Sequence, residues 1–207
     1  MIRLSLNEIE VTAAKAAMAL GWPPAVALET GRAAVWAAQF LSQAAGPVID
    51  LARPTGEDPL VCREADCMVV ARANPAIVLS ALDFLVAGAC SQALFRCCEA
   101  PYALICFGGA AARIQGGGFS FLQAGMLAAT APSMCRLPAG MDGRPGDVLV
   151  ERTCPDSSSP WPERSADGAF LDGEVWSIMR ELASKTLVPA TRRSRESGAG
   201  AGLVDRD

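Results

Sequence analysis

Histidine is missing from this chain entirely. Its absence removes serine–histidine–aspartate and cysteine–histidine catalysis in their usual forms, imidazole metal ligands, and the common proton shuttle near neutral pH. Lysine occurs only at Lys15 and Lys185 and tyrosine only at Tyr102. Any reaction must therefore use carboxylates, arginine, those three side chains, a hydroxyl or a thiolate. Eight cysteines are present, at positions 62, 67, 90, 97, 98, 106, 135 and 154, but no Cys-x-x-Cys. Without histidine, a structural zinc site would need four thiolates at unfamiliar spacings, so no metal is expected. The opening Met1-Ile2-Arg3-Leu4-Ser5-Leu6-Asn7-Glu8 has no apolar core of a signal peptide. A cytoplasmic protein with reduced thiols follows as the expectation, several of those thiols acting as small core hydrophobes. Uninterrupted apolar runs are lacking too. Ala76 to Phe95 carries Asp83 at mid-span, and the next candidate carries Arg113 among glycines. One charge near a bilayer centre costs about 3 kcal/mol, so no membrane partner is expected. A formal charge of −4 offers no basic face to nucleic acid, which is excluded as a partner on the same footing.

The residues present describe a folding chain. Of 207 residues, 51% are hydrophobic and 19% charged, enough for a real core in one domain. Ser5-Leu6-Asn7-Glu8 reads as a capping box opening a helix with Leu6, Ile9, Ala13, Ala16, Ala17 and Leu20 along one stripe. Gly21 stops that helix, and Pro23-Pro24 starts another running to about Leu41. The small residues Ala27, Gly31, Ala34 and Ala38 of the second helix predict close approach in an antiparallel hairpin. Its other stripe is Glu29, Arg32, Trp36, Gln39 and Gln43, so Trp36 either covers another layer of the fold or marks an interface or ligand wall. A DNA-reading helix-turn-helix is rejected, because Pro24 to Glu29 supplies no base-reading side chains.

Beyond a proline-rich link, Asn74-Pro75 predicts a capped helix ending near Gly88. Tyr102 to Phe107, bounded by Pro101 and Gly108-Gly109, reads as a buried strand. Gly118 to Met126 and Asp147 to Thr153 read as further strands, the latter with Val148 and Val150 inward, and residues 154–169 as loop. Glu174 to Leu187 is expected as a closing helix with Val175, Ile178, Met179 and Leu182 on its apolar stripe. The fold class is therefore α+β: an N-terminal antiparallel helical hairpin packed with a small, mostly antiparallel sheet and a C-terminal helix. The expected layout is one domain, with the hairpin at 1–46, an α+β core at 60–190 and an arginine- and glycine-rich arm at 191–207.

Chemistry is sparse. The glycines of Gly108-Gly109 and Gly116-Gly117-Gly118 match no phosphate-binding pattern, and a hairpin connection is preferred. Cys97-Cys98, flanked by Arg96 and Glu99, hints only weakly at a reactive thiol. The arm is richer. Arg192, Arg193, Ser194 and Arg195 precede Gly198 and Gly200, then Asp205 and Asp207. Guanidinium groups there could clasp a carboxylate or phosphate bidentately, or the arm could be a solvated tail pairing with its own acids.

Two stretches carry a resemblance. The opening Leu4-Ser5-Leu6-Asn7-Glu8-Ile9-Glu10, continuing through Glu29-Thr30-Gly31-Arg32, and the closing Val188-Pro189-Ala190-Thr191 with Ser194-Arg195 and the Gly198 to Asp207 run resemble a proteobacterial family known as a domain of unknown function. That family brings no activity with it. If the arm belongs to a shared pattern, Ser194, Arg195, Gly198, Gly200, Gly202, Asp205 and Asp207 gain weight as ligand contacts. More distantly, the hairpin is similar to the opening of the malate/L-lactate dehydrogenase family, which uses a nicotinamide cofactor. That family's Ser-His-Gly element has no counterpart here, so no site residue is carried over and no cofactor is assigned.

The expected function is binding of a small carboxylate-bearing or other anionic ligand by Arg192, Ser194, Arg195, Gly198, Gly200 and Asp205, with Arg32 and Trp36 in the wall. The alternative is an accessory protein docking on a protein partner, or on its own copy, through the hairpin with Trp36 exposed. The residues do not decide whether the protein is an enzyme.

Overall fold

The computed structural model describes residues 1–41, 44–54, 58–131, 134–139, 141, 143–153 and 168–186. In chain order the elements are β1 (Ile2–Leu4), α1 (Leu6–Ala19), α2 (Pro24–Phe40), α3 (Ala45–Leu51), β2 (Leu60–Glu64), β3 (Cys67–Ala71), α4 (Pro75–Val86) and β4 (Gln92–Cys98). They continue with α5 (Pro101–Gln115), β5 (Gly118–Gln123), β6 (Met126–Ala131), β7 (Met134–Arg136), β8 (Gly146–Thr153), β9 (Ala169–Leu171) and α6 (Gly173–Ser184). The class is α+β, as read from the sequence.

The hairpin forms as its residues dictate. The Ser5 hydroxyl accepts from the Glu8 amide at 3.2 Å and the Glu8 carboxylate accepts from the Ser5 amide at 2.9 Å. The Ser5 hydroxyl also donates to that carboxylate at 2.7 Å, and this bond first, then the one from the Ser5 amide, holds the Glu8 carboxyl below its usual range. Gly21 adopts φ +95° just past α1, and Pro24 begins α2. Ala27, Gly31, Ala34 and Ala38 are buried, and Gly31 meets Glu10 and Ala14 of α1. A Cβ on Gly31 would stand 2.6 Å from the Glu10 carbonyl oxygen, so only glycine permits this crossing.

Seven strands pair in the order β2-β3-β4-β8-β5-β6-β7. Among the described residues only β3 and β4 pair in parallel, with α4 crossing between them, and every other pairing is antiparallel. A second, two-stranded sheet pairs β1 with β9. Helix α4 lies against β4 and β8, and α5 against β5 and β6. Behind α5 stand α2 and α3, with α1 and α6 outermost. The core fills the space between the helix-facing side of the sheet, marked by Val70, Ala93, Phe95, Phe121, Val148 and Val150, and this helical stack.

Three expectations need correction. Tyr102 to Phe107 is not a strand but the first half of α5, which begins at Pro101 and continues through Gly108 and Gly109. Every residue from Ala103 to Ala112 is buried, so the helix is apolar on all sides and loses the 3.6-residue period that betrays amphipathic helices. The two glycines do not end the element. A Cβ on Gly108 would stand 2.5 Å from the Phe121 ring, and one on Gly109 would fall inside the Trp36 indole. Consequently the region 108–118 is no hairpin connection: Gly116 and Gly117, at φ +70° and +85°, turn the chain from α5 into β5. The Gly118 to Met126 run is two strands joined by Ala124-Gly125, both left-handed as a tight hairpin turn requires. By contrast β8 places Val148 and Val150 in the core as expected. Asn74 caps α4 through the Ile77 amide at 3.0 Å. Helix α6 buries Met179 and Leu182 but leaves Ile178 exposed.

Gly109→Ala should destabilise the fold by about 1–3 kcal/mol through overpacking against Trp36. Gly46→Ala in α3, where a new methyl meets only Val175 at 3.5 Å, should be neutral or stabilise by up to about 1 kcal/mol. Urea midpoints of the two variants check the contrast, and equal midpoints would contradict the packing assignment.

Candidate functional site

A cleft of about 610 Å³ opens at the carboxyl edge of the parallel pair β3–β4. In open sheets, ligands sit outside the carboxyl ends of parallel strands because helix N-termini and loops converge there. Here the chain leaves β3 through Arg72 and leaves β4 through Cys97 and Cys98, both segments lining the cleft. The start of α5 supplies Tyr102, and α3 closes the opposite side with Asp50. Among the described residues four non-glycine positions have positive φ, and two of them, Arg72 (+58°) and Cys97 (+47°), line this cleft. Such conformations cost on the order of 1–2 kcal/mol for an ordinary residue.

Cys97 takes its conformation from a register shift between β4 and β8 that falls between Phe95 and Cys98. Asp147 fixes that bulge. One carboxylate oxygen accepts the Cys97 amide at 2.8 Å, and the other accepts from the Arg96 guanidinium at 2.7 Å. The Cys97 amide first, and then Arg96, holds the Asp147 carboxyl below the usual aspartate range. The adjacent thiols differ in kind. Cys97 is exposed, whereas burial pushes the Cys98 thiol up to about 12. Across the cleft the Tyr102 hydroxyl donates to the Met141 carbonyl at 2.5 Å. A Cβ on Gly143 would stand 2.6 Å from the Tyr102 ring, so the loop lies flat on it. Asp50 is engaged by Arg53 at 3.0 Å, and Arg72 and the Asp147-paired Arg96 are the arginines that line the cleft. Among the described residues no cluster of three cysteine, aspartate or glutamate side chains is placed to hold a metal ion.

The arm residues Arg192, Ser194, Arg195, Gly198, Gly200 and Asp205 lie outside the described residues. Arg32 and Trp36 are described, and neither lines the cleft. Arg32 bridges the hairpin, with Glu29 at 2.5 Å and Glu10 at 3.9 Å. Trp36 is 0% exposed, packed on Gly109 and 5.0 Å from the Phe40 ring, so a docking face with Trp36 exposed does not form. The other option open from sequence, cover for another layer, is the one observed. Its indole N–H is buried with no acceptor among the described residues. Arg72 went unnoticed in the sequence; the usable signal was a cation placed between the apolar run Met68-Val69-Val70 and the Asn74-Pro75 cap, a strand-loop-helix junction.

The family question stays open by sequence. No protein-family model and no curated protein matches the chain. Among solved structures, malate dehydrogenase from Pyrococcus horikoshii OT3 is similar with a TM-score of 0.44 and 15% identity, over 65% of this chain and 48% of that one. Malate dehydrogenase from Entamoeba histolytica is similar with a TM-score of 0.42 and 15% identity, over 77% of this chain and 50% of that one. The chain thus spans about half the length of those enzymes. The likeness is distant, and it assigns nothing to the cleft. No described helix is long and apolar enough to cross a membrane.

Brief alkylation of the native protein should modify Cys62 and Cys97, which are exposed, and spare Cys90, Cys98 and Cys106 until urea unfolds the chain. Peptide mass spectrometry reads the order; early labelling of Cys98 would contradict its burial. A carboxyl whose folded pKa is depressed stabilises above its unfolded range and loses that effect as pH falls through the folded pKa. Asp147→Asn should therefore lower the melting temperature at pH 7, and the gap from wild type should close below about pH 4. A gap independent of pH would mean that charge at Asp147 does not hold the bulge.

Proposed function

We propose that this protein binds a small carboxylate-bearing or other anionic ligand in the cleft at the carboxyl edge of β3 and β4. The observation that carries the reading is the convergence there of Arg72 and Arg96 with the start of α5. Both arginines sit on backbone that departs from regular strand, Arg72 by its own positive φ and Arg96 next to the bulged Cys97. A guanidinium presents paired N–H donors that match a carboxylate edge, and the interaction strengthens where walls limit water. Tyr102, anchored on Met141, supplies a flat apolar wall beside them.

The arm belongs to the same proposal. Arg192, Ser194 and Arg195, with Gly198, Gly200 and Asp205, supply further contacts to the bound anion in a cytoplasmic, single-domain protein. Membership in the proteobacterial family of unknown function is also proposed, on the end motifs quoted above. The hairpin-docking alternative is not retained, because Trp36 is consumed in the core.

Melting of the full chain against a panel of mono- and dicarboxylates and nucleotides tests the reading. At a ligand concentration one hundred times Kd, binding stabilises by about 2.7 kcal/mol, a shift of several degrees. The same ligand should slow alkylation of Cys97, which lines the cleft. Arg72→Ala should abolish both effects, and truncation before Arg192 should weaken them without unfolding the chain. A panel without a single hit, or a shift indifferent to Arg72→Ala, overturns the cleft assignment.

A further inference from the structure

The seven-stranded sheet has two faces, and the described helices cover one. Strand registers place Val69, Leu94, Leu149, Leu122 and Leu127 in one straight row across β3, β4, β8, β5 and β6 on the other side. None of these five belongs to the core or packs against it. Leu122 and Leu127 are 41% and 57% exposed. Neighbouring strands lie about 4.8 Å apart, so the row is an aliphatic stripe some 19 Å long. A stripe of this kind on an otherwise folded protein marks a surface that another apolar surface covers.

We propose that a second copy of this chain covers it, in a two-fold dimer packed sheet on sheet. Symmetry selects this occupant. In the strand order, β8 is the middle of the seven, with three strands on each side. The stripe is centred on that strand, with Val69 and Leu94 to one side of Leu149 and Leu122 and Leu127 to the other. A two-fold axis parallel to β8 therefore lays Leu149 on its copy, Leu94 on Leu122 and Val69 on Leu127. The result is the self-complementary contact that an isologous interface requires. Charge follows the same symmetry. The polar row beside the stripe runs from Glu64 on β2 through Cys67, Gln92, Glu151, Ser120 and Ala129 to Arg136 on β7. The axis that superposes the aliphatic row brings each Glu64 to the Arg136 of the other copy.

Nearer the centre, Glu151 and Asp147 of β8 stand on the axis opposite their own copies, and each carboxylate has a partner within its own chain. Gln92 donates to Glu151 at 2.6 Å, which holds that carboxylate along its own sheet where the two copies approach the axis. Arg96 and Asp147 pair at 2.7 Å on the other flank. Six strands by five residues present roughly 29 by 17 Å of flat face, of the order of 500 Å² before corrugation. That falls just below the roughly 600 Å² per partner at which standard interfaces begin, so a dimer of modest affinity is expected. Aligned packing of two twisted sheets interdigitates such rows at about 10 Å separation.

Sedimentation velocity of the full chain tests the proposal, with a dimer of twice the 21.5 kDa chain mass expected at micromolar concentration. Leu122→Asp, at a position already 41% exposed, should give a folded monomer by circular dichroism, with Kd raised at least 100-fold. The decisive variants are the charge reversals, because Glu64 and Arg136 lie on opposite edges of their own sheet, roughly 29 Å apart, and meet only across the proposed interface. Glu64→Arg or Arg136→Glu alone should weaken the dimer about 3- to 10-fold, and the two together should restore it. Val61→Asp on the helix-facing side of β2 should leave the mass unchanged. A monomer at 100 micromolar overturns the proposal. So does a dimer indifferent to Leu122→Asp, one broken by Val61→Asp, or a double reversal no better than either single one.

Discussion

The fold depends on the passage of α5 between two aromatic rings. Gly108 lets Phe121 of the sheet press on one side of the helix backbone, and Gly109 lets Trp36 of the hairpin press on the other. Because neither glycine carries a side chain, sheet and hairpin both approach α5 more closely than ordinary helix packing allows. The hairpin is drawn in by the same logic, through Gly31 against Glu10. Three glycine-mediated approaches thus fix the distances from sheet to α5, from α5 to α2, and from α2 to α1. Among the described residues the Trp36 indole N–H has no acceptor in that position, and an unpaired buried donor costs on the order of 1–3 kcal/mol. Full burial of the largest side chain in the core offsets it.

The cleft is a consequence of where α5 begins. Pro101 starts the helix three residues after β4 ends, so the bulge at Cys97 and the first turn of α5 must lie side by side. The parallel pair β3 and β4 exists because α4 is long enough to return the chain to the same edge. With both strands pointing the same way, Arg72 and Arg96 leave the sheet at one rim. Asp147, from the antiparallel neighbour β8, then ties the irregular segment down through one amide and one guanidinium.

Elements with signals written in their own residues were legible. The capping box at Ser5, the proline starts at Pro24 and Pro75, the Asn74 cap, and the alternation of Val148 and Val150 are each a local contract between neighbours. Elements whose character is set by distant partners were not. α5 is buried all round, so its apolar run carries no period, and its glycines are there for Phe121 and Trp36 rather than for a turn. β2, β3 and β4 escaped notice because each is short and their one parallel register depends on a helix lying between them. The cleft was legible only in fragments. Cys97-Cys98 with Arg96 stood out as a thiol beside a cation, but nothing in the order of residues joined it to Arg72 or Tyr102, which arrive through topology.

The missing histidine acquires a structural meaning once the cleft is described. Its charged rim consists of Arg72, Arg96, Asp50 and Glu99, residue types whose ordinary pKa values lie well away from neutrality. Burial removes Cys98 from the neutral range as well. The anchors that hold the rim are ion pairs, Asp147 on Arg96 and Asp50 on Arg53. A site built this way holds a constant electrostatic face where an imidazole would switch. That constancy agrees with the ligand reading proposed above, in which the cleft selects by fixed charge and shape.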